Sequence, residues 1–172
     1  PMKTNEPPAV QVVNGDYDIA IGTIWSEKLS KTEGINLTSS FMNMSAIAVG
    51  RQGTDIDSKS ALNVAVPTTY QYMIYYIQTE YPNYNIILYD DMERCLDAVV
   101  NSEADIAVQN SMVVNAALDN PHYDGLSIIP SFTVDEPSCM IVSDEEDEML
   151  VSILDKTIKS LDQYDIDRIV TI

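Results

Sequence analysis

Short apolar runs alternate with amphipathic stretches through the middle of the chain. Residues 62–66 (LNVAV), 85–89 (NIILY) and 105–109 (DIAVQ) are too short for helices and rich in Val, Ile and Leu, so they read as buried strands. Between the first two, residues 70–81 are helix-length, with Met73, Ile74 and Ile77 on one side and Pro82-Asn83 as the stop. Between the second two, Met92, Cys95, Leu96, Val99 and Val100 recur at the helical period over 91–102. Asp90 reads as the N-cap of that helix, with Glu93 as the other half of a capping box. A further helix is predicted at 112–118. Strand, helix, strand, helix, strand with short links predicts parallel strands wound right-handed.

The flanks are less regular. Residues 7–14 read as a short helix stopped by Gly15, 17–22 as a strand, 23–40 as a long polar loop, and 44–49 as a strand stopped at Gly50-Arg51-Gln52-Gly53. Residues 126–129 and 138–142 read as two strands separated by a polar bend at Pro137. Ser143 and Asp144 are the expected caps of a final helix whose buried stripe is Leu150, Ile153, Leu154, Ile158 and Leu161. The acidic run 144–148 then falls in its first turn, and Lys156 and Lys159 toward its end, an order that suits the helix dipole. Residues 163–172 read as one more short helix.

The chain has 172 residues, enough for one domain or two small lobes, and is 45% hydrophobic and 21% charged, a globular composition. Asp and Glu number 27 against 9 Lys and Arg, giving a net charge of −18. Phosphate contacts need clustered cations, so this balance excludes nucleic acid as the leading partner and argues against anionic lipid. No apolar run reaches membrane-spanning length. The opening Pro1-Met2-Lys3 reads as the edge of a piece cut from something larger.

Cys95 and Cys139 form no C-x-x-C and are expected to be buried free thiols. His122 is the single histidine and lies in the turn-like Asn120-Pro121-His122-Tyr123, so no histidine-rich metal site can be assembled. Neither a metal nor a cofactor is expected. Tyr70, Tyr72, Tyr75, Tyr76, Tyr81, Tyr84 and Tyr89 are unusually dense. They read as half-buried packing around one helix, with a recognition surface as the alternative.

The segment 14–22 (NGDYDIAIG) resembles the Gly-(Asp/Lys)-x-Asp-apolar-apolar-apolar-Gly segment of type II extracellular solute-binding proteins, in their amino-acid-binding branch. Residues 62–69 (LNVAVPTT) are similar to that family's strand and Thr-Thr loop, and 96–108 (LDAVVNSEADIAV) to its Ala-Leu-x-x-Gly-x-(Ala/Val)-Asp segment. Ser39-Ser40-Phe41 with the strand after it, and 135–142 (DEPSCMIV), look like its two hinge strands. The resemblance implies an α/β fold, periplasmic-binding-protein-like type II, with one complete α/β lobe and a partial second lobe joined by two hinge strands. Residues 1–43 would be the partial first lobe, 44–142 the complete second lobe, and 143–172 C-terminal helices returning toward the first. The opening strand-helix-strand of a complete member would precede Pro7.

Parallel α/β sheets bind ligands beyond the carboxyl ends of their strands. Here those ends are Pro67-Thr68-Thr69, Tyr89-Asp90 and Gln109-Asn110-Ser111, each leading into a helix N-terminus that favours an anionic group. The resemblance implies that Thr68 and Thr69 hold a solute carboxylate; the same pair also reads as an ordinary helix cap. Where the family has a clamping arginine, this chain offers only Lys28 and Lys31, which bring charge without the bidentate fork. The family's ammonium-binding aspartate falls at Asn110, and Trp25 or Phe41 would have to supply its stacking aromatic.

The resemblance therefore implies an extracytoplasmic, non-enzymatic ligand-sensing domain of a bacterial membrane signalling protein, such as a histidine kinase or diguanylate cyclase. It would bind a small solute, an amino acid or organic acid, in an interlobe cleft, tethered to the membrane through a segment beyond the C-terminus, with a homodimer as one assembly open to it. The alternatives are a transporter-associated binding protein, a degenerate lobe making protein contacts, and an enzyme related to the dehydratases of prephenate-like acids.

Overall fold

The computed structural model describes residues 8–146 and 148–162. They divide into a central unit, Met44–Asp135, and a terminal unit made of the residues before and after it. The chain passes between the units in two strands, β3 (Met42–Arg51) and β7 (Leu126–Ser143).

The central unit follows β3 with β4 (Asn63–Pro67), α3 (Gln71–Glu80), β5 (Asn85–Tyr89), α4 (Met92–Val100), β6 (Ile106–Asn110) and α5 (Ser111–Leu118). A 3-10 turn at Pro121–Tyr123 leads into β7. The strand order is β7-β3-β6-β4-β5. As the pattern predicts, β4 pairs parallel with β5 (Val64↔Ile86) and with β6 (Val64↔Ile106), while β3 returns antiparallel to β6 (Ala48↔Val108). Val64, Ala65 and Val66 are all fully buried because both sheet faces are covered. Alternation along the strands sorts them into two cores. Val64, Val66, Ile106 and Val108 pack with Met73 and Ile77 of α3, whereas Ala65 and Ala107 pack with Cys95, Leu96 and Val99 of α4 and Val114 of α5. Cys95 and Cys139 are buried free thiols.

The cap of α4 is Asp91, not Asp90. The Asp91 carboxylate accepts from the Arg94 amide at 2.9 Å, which puts Arg94 rather than Glu93 at the third helical position and removes the capping box. Asp90 is left exposed, its carboxylate 4.0 Å from Arg94 Nε.

The terminal unit holds α1 (Pro8–Val13), β1 (Ile19–Ile24), α2 (Glu27–Ser30), β2 (Ile35–Leu37), the end of β7 and α6 (Glu148–Ser160). β7 is paired antiparallel on both sides, with β1 (Ile19↔Val142) and with β2 (Asn36↔Val142). Val12, Ala20, Ile35 and Ile141 form its core, with Tyr17, Leu29 and Leu37 against it.

Three expectations are corrected here. The polar stretch 23–40 is not a loop: Ser26 caps α2 by accepting from the Leu29 amide at 3.1 Å, and Ile35 is buried in β2. Pro137 does not split the last strands. Phe132, Val134, Glu136 and Ser138 alternate as buried residues through β7, and the Pro137 carbonyl accepts from the Trp25 amide at 2.7 Å. The final helix begins at Glu148, and Ser143 Oγ accepts from the Glu145 amide in the turn before it. Its stripe is only partly covered: Ile158 is buried, but Ile153 is 51% exposed. The short helix expected at 163–172 lies outside the described residues.

Candidate functional site

Parallel pairing places the C-terminal ends of β4, β5 and β6 along one edge of the central sheet. Three turns meet there. In the first, the Thr68 amide donates to the Tyr89 carbonyl at 2.8 Å, tying the end of β4 to the end of β5, and Gln71 Nε2 donates to the Thr68 carbonyl at 2.7 Å. Thr68 and Thr69 are exposed. Neither caps α3. The cap position belongs to Tyr70, which makes no side-chain capping bond to the helix start. The second turn carries exposed Asp90 and the capping Asp91.

The third turn is more committed. Asn110 Oδ1 accepts from the Met112 amide at 3.0 Å and caps α5, while its Nδ2 donates to Met44 Sδ at 3.5 Å. Its own amide donates to Gln109 Oε1 at 2.8 Å. Ser111 follows, with its hydroxyl 3.4 Å from that of Ser45. The side chain at 110 is thus engaged with its own helix and with the start of β3. Met44 and Ser45 belong to this edge and had no signal in the sequence, since nothing in the local pattern says which strand lies beside β6.

The remaining candidates lie in the terminal unit. Trp25 is 42% exposed at the end of β1. Lys28 is exposed on α2. Lys31 Nζ is 2.6 Å from Glu27 Oε1, a solvent-exposed pair one helical turn apart. An open groove of about 440 Å³ in the same unit is lined by Asn36, Ser152, Asp155, Lys156 and Lys159, and Asp155 accepts there from the Ser39 amide at 2.7 Å. Among the described residues no cluster of His, Cys, Asp or Glu is arranged to hold a metal, and no helix is long and apolar enough to cross a membrane.

No family model matches the chain, and no curated protein matches it. Solved structures do match its fold. An ancestral arginine-binding protein bound to arginine superposes with a TM-score of 0.69 at 15% identity, covering 94% of this chain and 73% of that one. A histidine kinase sensor domain with similarity to periplasmic binding proteins gives 0.67 at 15% identity, covering 88% and 66%. The periplasmic VFT2 domain of BvgS from Bordetella pertussis gives 0.65 at 18% identity, covering 95% and 70%. The chain has the type II solute-binding-protein fold, one used by binding proteins and by sensor domains alike.

Proposed function

We propose that the chain is an extracytoplasmic solute-sensing domain of a bacterial membrane signalling protein, and that it acts by binding rather than by catalysis. The observation that carries this reading is the edge formed by Thr68-Thr69, Asp90 and Asn110-Ser111 on parallel strands, in a fold shared with periplasmic binding and sensor proteins. The start of α3, which Tyr70 does not cap through its side chain, suits an anionic group, with the Thr68 and Thr69 hydroxyls as further donors. Asn110 offers no negative charge to an ammonium, and its Oδ1 already caps α5. With no carboxylate at position 110, the solute proposed is a small organic acid rather than a free amino acid. Lys28, Lys31 and Trp25 of the terminal unit are the further candidates for contact with the solute. Signalling then follows from differential affinity: a solute that binds one conformation of the domain more tightly than another shifts the population toward it by that difference.

A transporter-associated binding protein is the second reading, favoured by the match to an arginine-binding protein. Isothermal titration against a panel of amino acids and small organic acids tests the proposal. Micromolar binding of an organic acid, weakened in a Thr68→Val/Thr69→Val variant, supports it. No heat and no melting shift across the panel defeats it.

A further inference from the structure

The tyrosines noted in the sequence form a continuous ladder on one side of the central unit. Tyr72 and Tyr76 stack with ring centroids 6.4 Å apart at 28°, Tyr76 meets Tyr81 at 6.4 Å, and Tyr81 stacks on Tyr84 at 4.9 Å and 15°. Tyr81 also packs on Phe132 at 5.8 Å. All four tyrosines are half-buried against the core that holds Met73 and Ile77, so the rings are held in place before any partner arrives. A preset aromatic surface loses little side-chain freedom on binding.

Its charge is one-sided. Glu80 lies near Tyr76 and Asp57 near Tyr84: burial, then Tyr81, then these carboxylates push both phenols up from their ordinary value. Between Lys59 and Arg94 the sequence holds no lysine or arginine. Lys59 itself is bonded to Asp105 at 2.7 Å. Within the stacked pairs the rings face one another, which builds no cage around a single small cation. Edges, phenol oxygens and carboxylates spread from α3 to the turn before β5 instead suit an extended chain. Its basic heads would pair with Glu80 and Asp57 while its methylene stems lie along the ring edges.

We propose that the ladder Tyr72-Tyr76-Tyr81-Tyr84 is a docking surface for a basic polypeptide segment. The probe is a fluorescent peptide of alternating arginine and glycine, titrated into the whole chain at physiological salt and read by anisotropy. Tyr76→Ser/Tyr84→Ser and Asp57→Asn/Glu80→Gln should each weaken binding at least tenfold. Glu33→Gln/Asp119→Asn, the same charge change elsewhere on the surface, should leave it within twofold. Amide shifts of the unsubstituted protein provide a readout that needs no variant, and should move within 70–84 and around Phe132. Absence of binding overturns the proposal. So does loss in every charge variant with the tyrosine pair silent, or shifts scattered over the acidic surface, since bulk attraction to a chain of net charge −18 would then explain the binding.

Discussion

Arg51 Nη1 donates to the Val99 carbonyl at 2.5 Å and to the Ala104 carbonyl at 3.2 Å, so the end of β3 closes the end of α4. The last carbonyls of a helix have no intrahelical donor, and a cation there also meets the negative end of the helix dipole. Arg51→Met keeps most of the stem and removes both bonds. Hydrogen bonds to charged groups contribute about 1.5–3 kcal/mol, so a loss of that order is expected. Urea unfolding should show a lower midpoint at unchanged slope. An unchanged midpoint would mean that water satisfies these carbonyls equally well.

Ser102, just beyond the same helix, has φ of 64° and is the one non-glycine with positive φ among the described residues. The amides of Glu103 and Ala104 both return to the Ala98 carbonyl, at 2.8 and 3.1 Å, a helix ending that glycine adopts without strain. Left-handed backbone costs a side-chain-bearing residue about 1–2 kcal/mol, and part of that is offset by the greater freedom of glycine in the unfolded chain. Ser102→Gly should therefore raise stability by about 0.5–1 kcal/mol, seen as a higher melting temperature.

Asp105 carries an acid-sensitive link. Burial pushes its carboxyl up, but the bond from Lys59 Nζ at 2.7 Å, the Asn63 amide at 2.9 Å and the charge of Arg51 together hold it below the usual carboxylate range. A depressed carboxyl contributes stability that is present above its unfolded value, near 3.9, and is lost as pH falls through the folded value. Asp105→Asn should be less stable than the parent at neutral pH. The difference should narrow as pH falls below about 4, and parallel acid-unfolding curves for the two proteins would contradict the link.

The two thiols set an alkaline counterpart. Burial, and for Cys95 also the charge of Asp91, pushes Cys95 up to about 12, and burial pushes Cys139 up to about 11. The folded state keeps these protons longer than the unfolded chain, so stability falls as pH rises from about 9 toward these values. Because the thiolate is the nucleophile, native protein at pH 8 should be inert to a disulfide reagent, with both thiols titrating only in denaturant. Rapid labelling without denaturant would place a cysteine outside the core.

The strand-helix alternation from Asn63 to Leu118 was legible because each strand is a continuous apolar run and each helix carries its own period. The cap of α4 was misread by one residue: Asp90 and Asp91 are chemically equal, and only the backbone decides which oxygen reaches the Arg94 amide. β2 escaped notice because its three residues, Ile35–Leu37, take their order from pairing with β7 rather than from their own pattern. Pro137 misled for a related reason. It lacks a donor, yet its carbonyl still joins the ladder through Trp25. Of the site, the three strand ends could be read from the sequence. That Met44 and Ser45 would sit beside Asn110 and Ser111 could not, because the antiparallel return of β3 onto β6 joins residues remote in sequence.

Asn110 separates the structural and functional demands on this edge. Asn110→Ala removes the cap of α5 and should cost about 1 kcal/mol in thermal or urea melts. Asn110→Asp keeps an acceptor for the Met112 amide and adds a negative charge at a helix start, which is favourable by about 0.3–1 kcal/mol, though it gives up the bond to Met44 Sδ. If the edge selects acids because position 110 supplies no counter-charge for an ammonium, the aspartate variant should lose affinity for an organic acid and gain it for the matching amino acid. Titration of both ligands into both proteins reads the crossover. A variant that is equally stable but changes neither affinity would leave Asn110 as a helix cap and place solute discrimination elsewhere.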